Sequence, residues 1–230
     1  DEDHEDVNEV WSCGTLFDEA DLAAARKSER ESLRDHLAYE WVSREAMGKE
    51  KAVTSKWVDR LKNTAQVKSR LVARGFSQEK GEDEQTYAPT ASSLLPRLLL
   101  GLEEHERRKG QVKLSDRAVM IADVSTAFLH APREGETIFV RPPQEAVQWG
   151  CEEGETTPEK PYWRIQRALY GLRESPRDWY VHLRAILEQH GWGASKRDGS
   201  LFYRRGCRMC VHVDDLLGVG DHARFIAVSC

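Results

Sequence analysis

The sequence predicts an α+β fold in which antiparallel hairpins are combined with amphipathic helices. Two hairpins support this prediction: strand-like residues 56–62 and 67–74 flank a short polar link, and two apolar runs meet at Asp214-Asp215. Helices are indicated over residues 94–109 and 175–190, where apolar residues recur at helical spacing. With 230 residues and 40% hydrophobic side chains, the chain is long enough to bury a substantial core.

Charge is distributed unevenly, so the net charge of −5 does not exclude a polyanionic partner. Residues 1–50 hold 15 acidic and 6 basic side chains. They are predicted to form an acidic N-terminal segment that is partly disordered, over the first 20 residues, and partly helical, over residues 21–50. Residues 51–80 are rich in lysine and arginine, which indicates either a phosphate-binding surface or a hairpin whose charges prevent aggregation.

Cysteine usage and hydropathy indicate the cellular compartment of the protein. Five cysteines without a framework-like spacing favour a reducing environment. Cys207 and Cys210, followed by His212, suggest zinc, but a fourth ligand at a usual spacing is missing and ordinary strand cysteines are the favoured interpretation. The sequence has neither the pattern of a signal peptide nor a membrane-spanning run, which predicts a cytoplasmic or nuclear protein with no membrane partner.

Three carboxylates are candidate metal ligands. Asp214 and Asp215 are adjacent in a predicted tight turn, where two negative charges repel each other and one Asp suffices for the turn's own hydrogen bonds. A bound cation would explain the pair, and a solvated turn is the alternative. Asp123 ends an apolar strand directly before a turn, so it either caps the following short helix or contributes a third ligand.

Four motifs in this sequence resemble the reverse transcriptase of Ty1/copia-type retrotransposons. They are KSRLVARGFSQ (residues 68–78), DVSTAFL (123–129), LYGLRESPRDWY (169–180) and VDDLL (213–217). Their order and spacing are similar to those of the family, and together they cover about residues 51–220.

The resemblance implies a right-hand polymerase fold for residues 51–230, with an antiparallel palm sheet that has helices on one face. The implied fingers are about residues 51–115 and 131–165, and the implied palm is about residues 116–130 and 166–230. The palm would be truncated after the VDDLL motif, with the thumb absent. The chain is therefore expected to be a fragment of a larger polyprotein.

The activity that the resemblance implies is that of an RNA-directed DNA polymerase. Such an enzyme adds deoxynucleotides to a primer 3′-hydroxyl by a two-metal-ion mechanism, on an RNA or DNA template with a primer and with deoxynucleoside triphosphates as substrates. Asp123 and Asp214 are the implied principal ligands of Mg²⁺, with Mn²⁺ as a possible substitute, and Asp215 completes the catalytic triad.

Further site residues are assigned by the same resemblance. Phe128 matches an aromatic gate that excludes the ribose 2′-hydroxyl, and Tyr170 and Gly171 match a motif that lies under the nucleotide and template base. The implied nucleotide-binding set is Lys68, Arg70, Arg74, Phe128, Tyr170 and Gly171, and the implied nucleic-acid contacts are Lys56, Lys62 and Arg173.

The sequence departs from the family pattern at two positions, and one of them, His212, together with the expected truncation favours an alternative function. His212 stands where the family usually has tyrosine, and Glu174 stands where it commonly has glutamine, which places a negative charge near a polyanion path. The alternative is a catalytically inactive, retrotransposon-derived nucleic-acid-binding protein that retains the fold and the basic hairpin.

Overall fold

The computed structural model describes residues 17–62, 66–78, 86–109 and 117–221, which form a mixed α+β fold with two five-stranded sheets. The helices are α1 (Glu19–Asp35), α2 (Leu94–Arg108), α3 (Ala127–His130), α4 (Gln144–Glu152) and α5 (Ser175–Gln189). The strands are β1 (Tyr39–Val42), β2 (Val53–Lys62), β3 (Gln66–Ala73), β4 (Arg117–Asp123), β5 (Phe139–Arg141), β6 (Tyr162–Ile165), β7 (Gly193–Ala194), β8 (Leu201–Arg204), β9 (Cys207–His212) and β10 (Asp215–Asp221). Short 3₁₀ turns cover Glu45–Met47 and Gly75–Ser77.

The first sheet has the strand order β1-β6-β5-β2-β3. The predicted hairpin at residues 56–74 is confirmed, because β2 and β3 pair antiparallel from Ser55–Ala73 to Lys62–Gln66. Among the described pairs of this sheet, only β2 and β5 run parallel. The hairpin ends at the edge of the sheet, so β3 has one side that no described strand covers.

Helix α1 packs against the first sheet, and β1 is one of its strands. Leu33 on α1 is fully buried in the same core as Leu71 and Trp163. The helix predicted over residues 21–50 is wrong beyond Asp35, because β1 pairs antiparallel with β6 and stacks Tyr39 on Trp163 at 4.0 Å between ring centroids. The sheet therefore includes a strand from the predicted acidic N-terminal segment.

The second sheet has the order β4-β10-β9-β8-β7, and all of its described pairs are antiparallel. On one face, Trp179 of α5 packs with Met209 and Leu216, and on the other face Leu99 of α2 packs with Val219. The prediction that helices cover one face only is therefore wrong. Strands β9 and β10 carry apolar side chains at successive positions, so both faces need cover.

One local expectation, at residues 144–160, differs from the structure, and another, the interpretation of Cys207 and Cys210 as ordinary strand cysteines, agrees with it. The polar composition of residues 144–160 predicts a loop, yet α4 begins directly after Pro143. The buried positions of α4 are the small residues Ala146 and Gly150, which give little hydrophobic signal. Cys207 and Cys210 pack in the two clusters on opposite faces of the second sheet, so they cannot bind the same ion.

None of the described helices is both long enough and apolar enough to span a bilayer.

Candidate active site

The three predicted metal-binding aspartates lie at one end of the second sheet, which we call the acidic end. Asp123, the last residue of β4, is directly opposite Asp215, the first residue of β10. Asp214 precedes Asp215, and its carbonyl oxygen accepts a hydrogen bond from the Val124 N–H at 2.9 Å. The predicted hairpin is confirmed, with Val213 and Asp214 as the turn residues, while Asp215 already pairs with His212.

The turn that carries Asp214 is held in a strained conformation from both sides. Val213 has a φ of 59°, a left-handed conformation that costs a β-branched residue about 1–2 kcal/mol. The buried Trp179 on α5 donates its indole N–H to the Val213 carbonyl at 2.7 Å. His212, the departure from the family pattern, donates from Nδ1 to the Ala91 carbonyl at 3.1 Å. These contacts fix the position of Asp214.

The donor set at the acidic end suits a hard divalent cation. Carboxylate oxygens are the ligands that Mg²⁺ and Mn²⁺ prefer, and Asp123 and Asp215 are solvent-exposed. Like charges directly opposite each other destabilise an antiparallel pair, so a cation here would relieve repulsion. Across the described ranges, no three acidic, His or Cys side chains are already gathered at metal-binding positions. The ligands thus have suitable chemistry without a preassembled cage.

Two of the predicted nucleotide-binding residues, Phe128 and Arg70, contact a third, Tyr170. The Tyr170 ring lies 5.1 Å from the Phe128 ring at an interplanar angle of 63°. The Arg70 guanidinium lies 4.9 Å above the Tyr170 ring centroid. Burial raises the pKa of the Tyr170 hydroxyl, Arg70 opposes that shift, and the charges of Asp214 and Asp123 add to it. Tyr170 therefore contacts the cation on β3 and lies within electrostatic range of the acidic end.

The hairpin of β2 and β3 carries its cations on one side, which we call the basic face. Directly paired residues point the same way, so the register places on it Lys56, Arg60, Lys62, Lys68 and Arg70. The opposite face carries Asp59, Ser69 and Leu71, and α1 covers it through the ion pair between Arg26 and Asp59 at 2.8 Å. Arg74 lies beyond the end of β3, where its backbone N–H donates to the Thr54 carbonyl at 2.7 Å.

Gly171 is located where two backbone segments cross. The N–H groups of Ala73 and Gly75 donate to the carbonyls of Tyr170 and Gly171 at 2.8 and 3.1 Å. A Cβ on Gly171 would lie 2.6 Å from Val72 Cγ1 and would overlap the Ala73 carbonyl oxygen, and its φ of 88° favours glycine. The close approach of the two backbone segments explains why residue 171 is glycine. A contact between Gly171 and the nucleotide stays a prediction.

A polar clasp, formed by Gln78, Glu174, Arg133 and Asp178, joins the end of the first sheet's hairpin to the start of α5. The Gln78 amide donates to Glu174 at 3.0 Å and accepts the Arg173 N–H at 3.0 Å. Arg133 pairs with Glu174 at 3.5 Å and with Asp178 at 3.0 Å.

The clasp accounts for the second departure from the family pattern. The charge of Glu174 is balanced by Arg133, so it need not repel a nearby polyanion. Burial raises the pKa of the Asp178 carboxyl and Arg133 lowers it in part. Arg133, Asp178 and Gln78 are not among the predicted site residues. A polar pair separated by 96 residues, as Gln78 and Glu174 are, has no local sequence signal.

Comparison with known proteins identifies the family. A model of the reverse transcriptase (RNA-dependent DNA polymerase) family matches residues 38–228. The chain belongs to this family. It is 28% identical over 219 residues to a retrovirus-related Pol polyprotein from transposon TNT 1-94 of Nicotiana tabacum, covering 90% of this chain and 15% of that protein. It is 34% identical over 163 residues to the corresponding polyproteins of transposons RE2 and RE1 of Arabidopsis thaliana, covering 67% of this chain and 10% of each.

These matches confirm the resemblance to copia-type reverse transcriptases that the four motifs indicate. By family, the chain is an RNA-directed DNA polymerase domain. It spans between 10% and 15% of the length of these Pol polyproteins.

Proposed function

We propose that this reverse transcriptase domain transfers a deoxynucleotide from its triphosphate to the 3′-hydroxyl of a primer, on an RNA or DNA template. The observation that supports this reaction is the proximity of Tyr170, with Arg70 and Phe128 packed on it, to the acidic end. Arg70 is suited to the triphosphate and the rings of Tyr170 and Phe128 to the nucleoside. The carboxylates of the acidic end are suited to the reacting centre.

Each part of the nucleotide has a candidate partner. Arg70 and Lys68 hold the triphosphate, with Arg70 kept in place by its position over Tyr170. Phe128 lies against the sugar and leaves no room for a 2′-hydroxyl. The polar clasp and the crossing at Gly171 fix Tyr170 relative to β3, so the two sides of the site keep their spacing.

The acidic end supplies the ligands for the reaction's metal ions. Asp123 and Asp214 bind divalent cations, of which Mg²⁺ is the expected one, and Asp215 is the third carboxylate of the site. When bound, two such ions would stabilise the charge on the attacking and leaving oxygens. The fixed turn at Val213 and Asp214 means that little reorganisation of the backbone is needed to present the second ligand.

The basic face supplies contacts to the template and primer. Phosphate contacts contribute most of the sequence-independent affinity for nucleic acid, and the face carries five cations without an acidic residue among them. Lys56, Lys62 and Arg173 are the proposed nucleic-acid contacts.

Primer extension on a primed RNA template tests the proposal. The chain should extend the primer with Mg²⁺ or Mn²⁺, and Asp123→Asn should abolish extension. Asp221→Asn is the matched control, because Asp221 lies at the opposite end of β10 from Asp215. Template binding without extension by the unmodified chain would instead favour the inactive nucleic-acid-binding protein.

A further inference from the structure

Helix α1 precedes the residues that the family model matches, yet it lies beside the proposed nucleotide site. A cavity of about 510 Å³ is lined by residues of α1 and β3 and reaches Thr126 in the loop after Asp123. Its lining includes Glu29 from the helix and Lys62 and Lys68 from the hairpin. α1 is fastened next to this cavity, since Arg26 bonds to Asp59 and also to Glu145 at 2.9 Å.

Glu29 is held at the outer edge of β3, near the proposed triphosphate-binding cations. Its Oε1 accepts the Leu71 backbone N–H at 3.3 Å, which satisfies a donor that no described strand pairs with. Leu71 directly follows Arg70 in β3, so this hydrogen bond brings a carboxylate into the electrostatic field of Arg70 and Lys68. Glu29 is half-buried, where charges interact more strongly than in bulk water.

We infer that Glu29 weakens the binding of a triphosphate by Arg70 and Lys68, and thereby sets the nucleotide affinity of the site. This inference rests on the proposed function, because it assigns the triphosphate to these two cations. A carboxylate beside Arg70 and Lys68 stabilises the charged form of both side chains. The same carboxylate repels the phosphates of a triphosphate bound to them. Neutralising Glu29 should therefore tighten triphosphate binding without changing the bond-forming step.

Protonation of Glu29 should have the same effect as neutralisation by substitution. Burial raises the pKa of Glu29, while the Leu71 N–H, Arg70 and Lys68 lower it in part. A bound triphosphate adds negative charge and favours the protonated acid further, so affinity should rise as the pH falls. Among the described residues, the charged or titratable groups around Glu29 include Lys62, Lys68, Arg70, Asp21 and Tyr170.

The test is Glu29→Gln in the full chain, because glutamine retains an oxygen that can accept the Leu71 N–H. Binding of inorganic triphosphate by calorimetry should become about three- to five-fold tighter, as expected for one charge at roughly 10 Å in a partly screened site. The KM for deoxynucleotides should fall by a similar factor, with kcat unchanged. The difference in affinity between parent and variant should shrink as the pH falls toward the range in which Glu29 is protonated.

Glu19→Gln is the matched control, since Glu19 is an exposed acid in the first turn of the same helix. It should leave triphosphate affinity unchanged. Equal affinity of the Glu29→Gln variant and the parent, while Arg70→Ala weakens binding, would overturn the inference alone. Equal affinity of Arg70→Ala and the parent would overturn the proposed triphosphate site, and this inference with it.

Discussion

Replacing Gly171 with alanine should destabilise the protein by much more than an ordinary glycine substitution. At a φ of 88° an L-residue loses about 1–2 kcal/mol, offset by roughly 0.4–1 kcal/mol from the more restricted unfolded chain. The added Cβ would also lie 2.6 Å from Val72 Cγ1 and overlap the Ala73 carbonyl. Separating β3 from this loop costs a further amount, about 1–3 kcal/mol by analogy with overpacked cores. The expected total is about 2–4 kcal/mol.

Gly135→Ala separates the two contributions. Gly135 has a φ of 94°, and a Cβ there would meet nothing within 4 Å, so this control carries the conformational cost alone. Urea unfolding should show Gly171→Ala less stable than Gly135→Ala by about 1–3 kcal/mol. Equal losses of stability in the two variants would refute the close backbone crossing between β3 and the loop at Tyr170 and Gly171.

Three further predictions follow from the site's contacts. Phe128→Ala should raise ribonucleotide incorporation relative to deoxynucleotide in primer extension, because the ring no longer blocks the 2′-hydroxyl, whereas an unchanged sugar preference would remove Phe128 from the site. Trp179→Phe should cost about 1–3 kcal/mol in urea unfolding, since the Val213 carbonyl loses its indole donor; a loss below about 0.5 kcal/mol would contradict that role. Gln78→Ala should raise the KM for deoxynucleotides about five-fold, because Arg173 and the start of α5 lose their tie to the hairpin; an unchanged KM would show that the polar clasp does not position the site.

Helices and strands that have a clear local sequence pattern could be predicted from the sequence. The β2–β3 hairpin, α2 and the strand that ends at Asp123 all follow from strand-like or helical periodicity together with glycine and proline punctuation. The cations of the hairpin were predictable as a set. Their common face depends on the register, which places Lys68 opposite Arg60 and leaves α1 to the other face.

Contacts between distant segments could not be predicted in this way. Residues 39–42 form a strand only because β6 offers a partner and Trp163 a stacking surface for Tyr39. Glu29 lies on an ordinary charged helix, and its place beside Arg70 depends on how α1 packs against β3. The strain at Val213 likewise depends on the tight turn and on Trp179, which the sequence indicates only as a core residue.

Binding of Mn²⁺ at the acidic end is the most direct test of the proposed polymerase chemistry. Electron paramagnetic resonance should detect Mn²⁺ bound to the unmodified chain, and the ion should raise its thermal stability. Asp123→Asn should weaken Mn²⁺ binding at least about tenfold and remove this stabilisation. Because the substitution also removes the repulsion between Asp123 and Asp215, the metal-free variant should be as stable as the parent or more stable, by about 0.2–1 kcal/mol. Mn²⁺ binding of equal strength in the parent and in Asp123→Asn would contradict the assignment of the acidic end as the metal site.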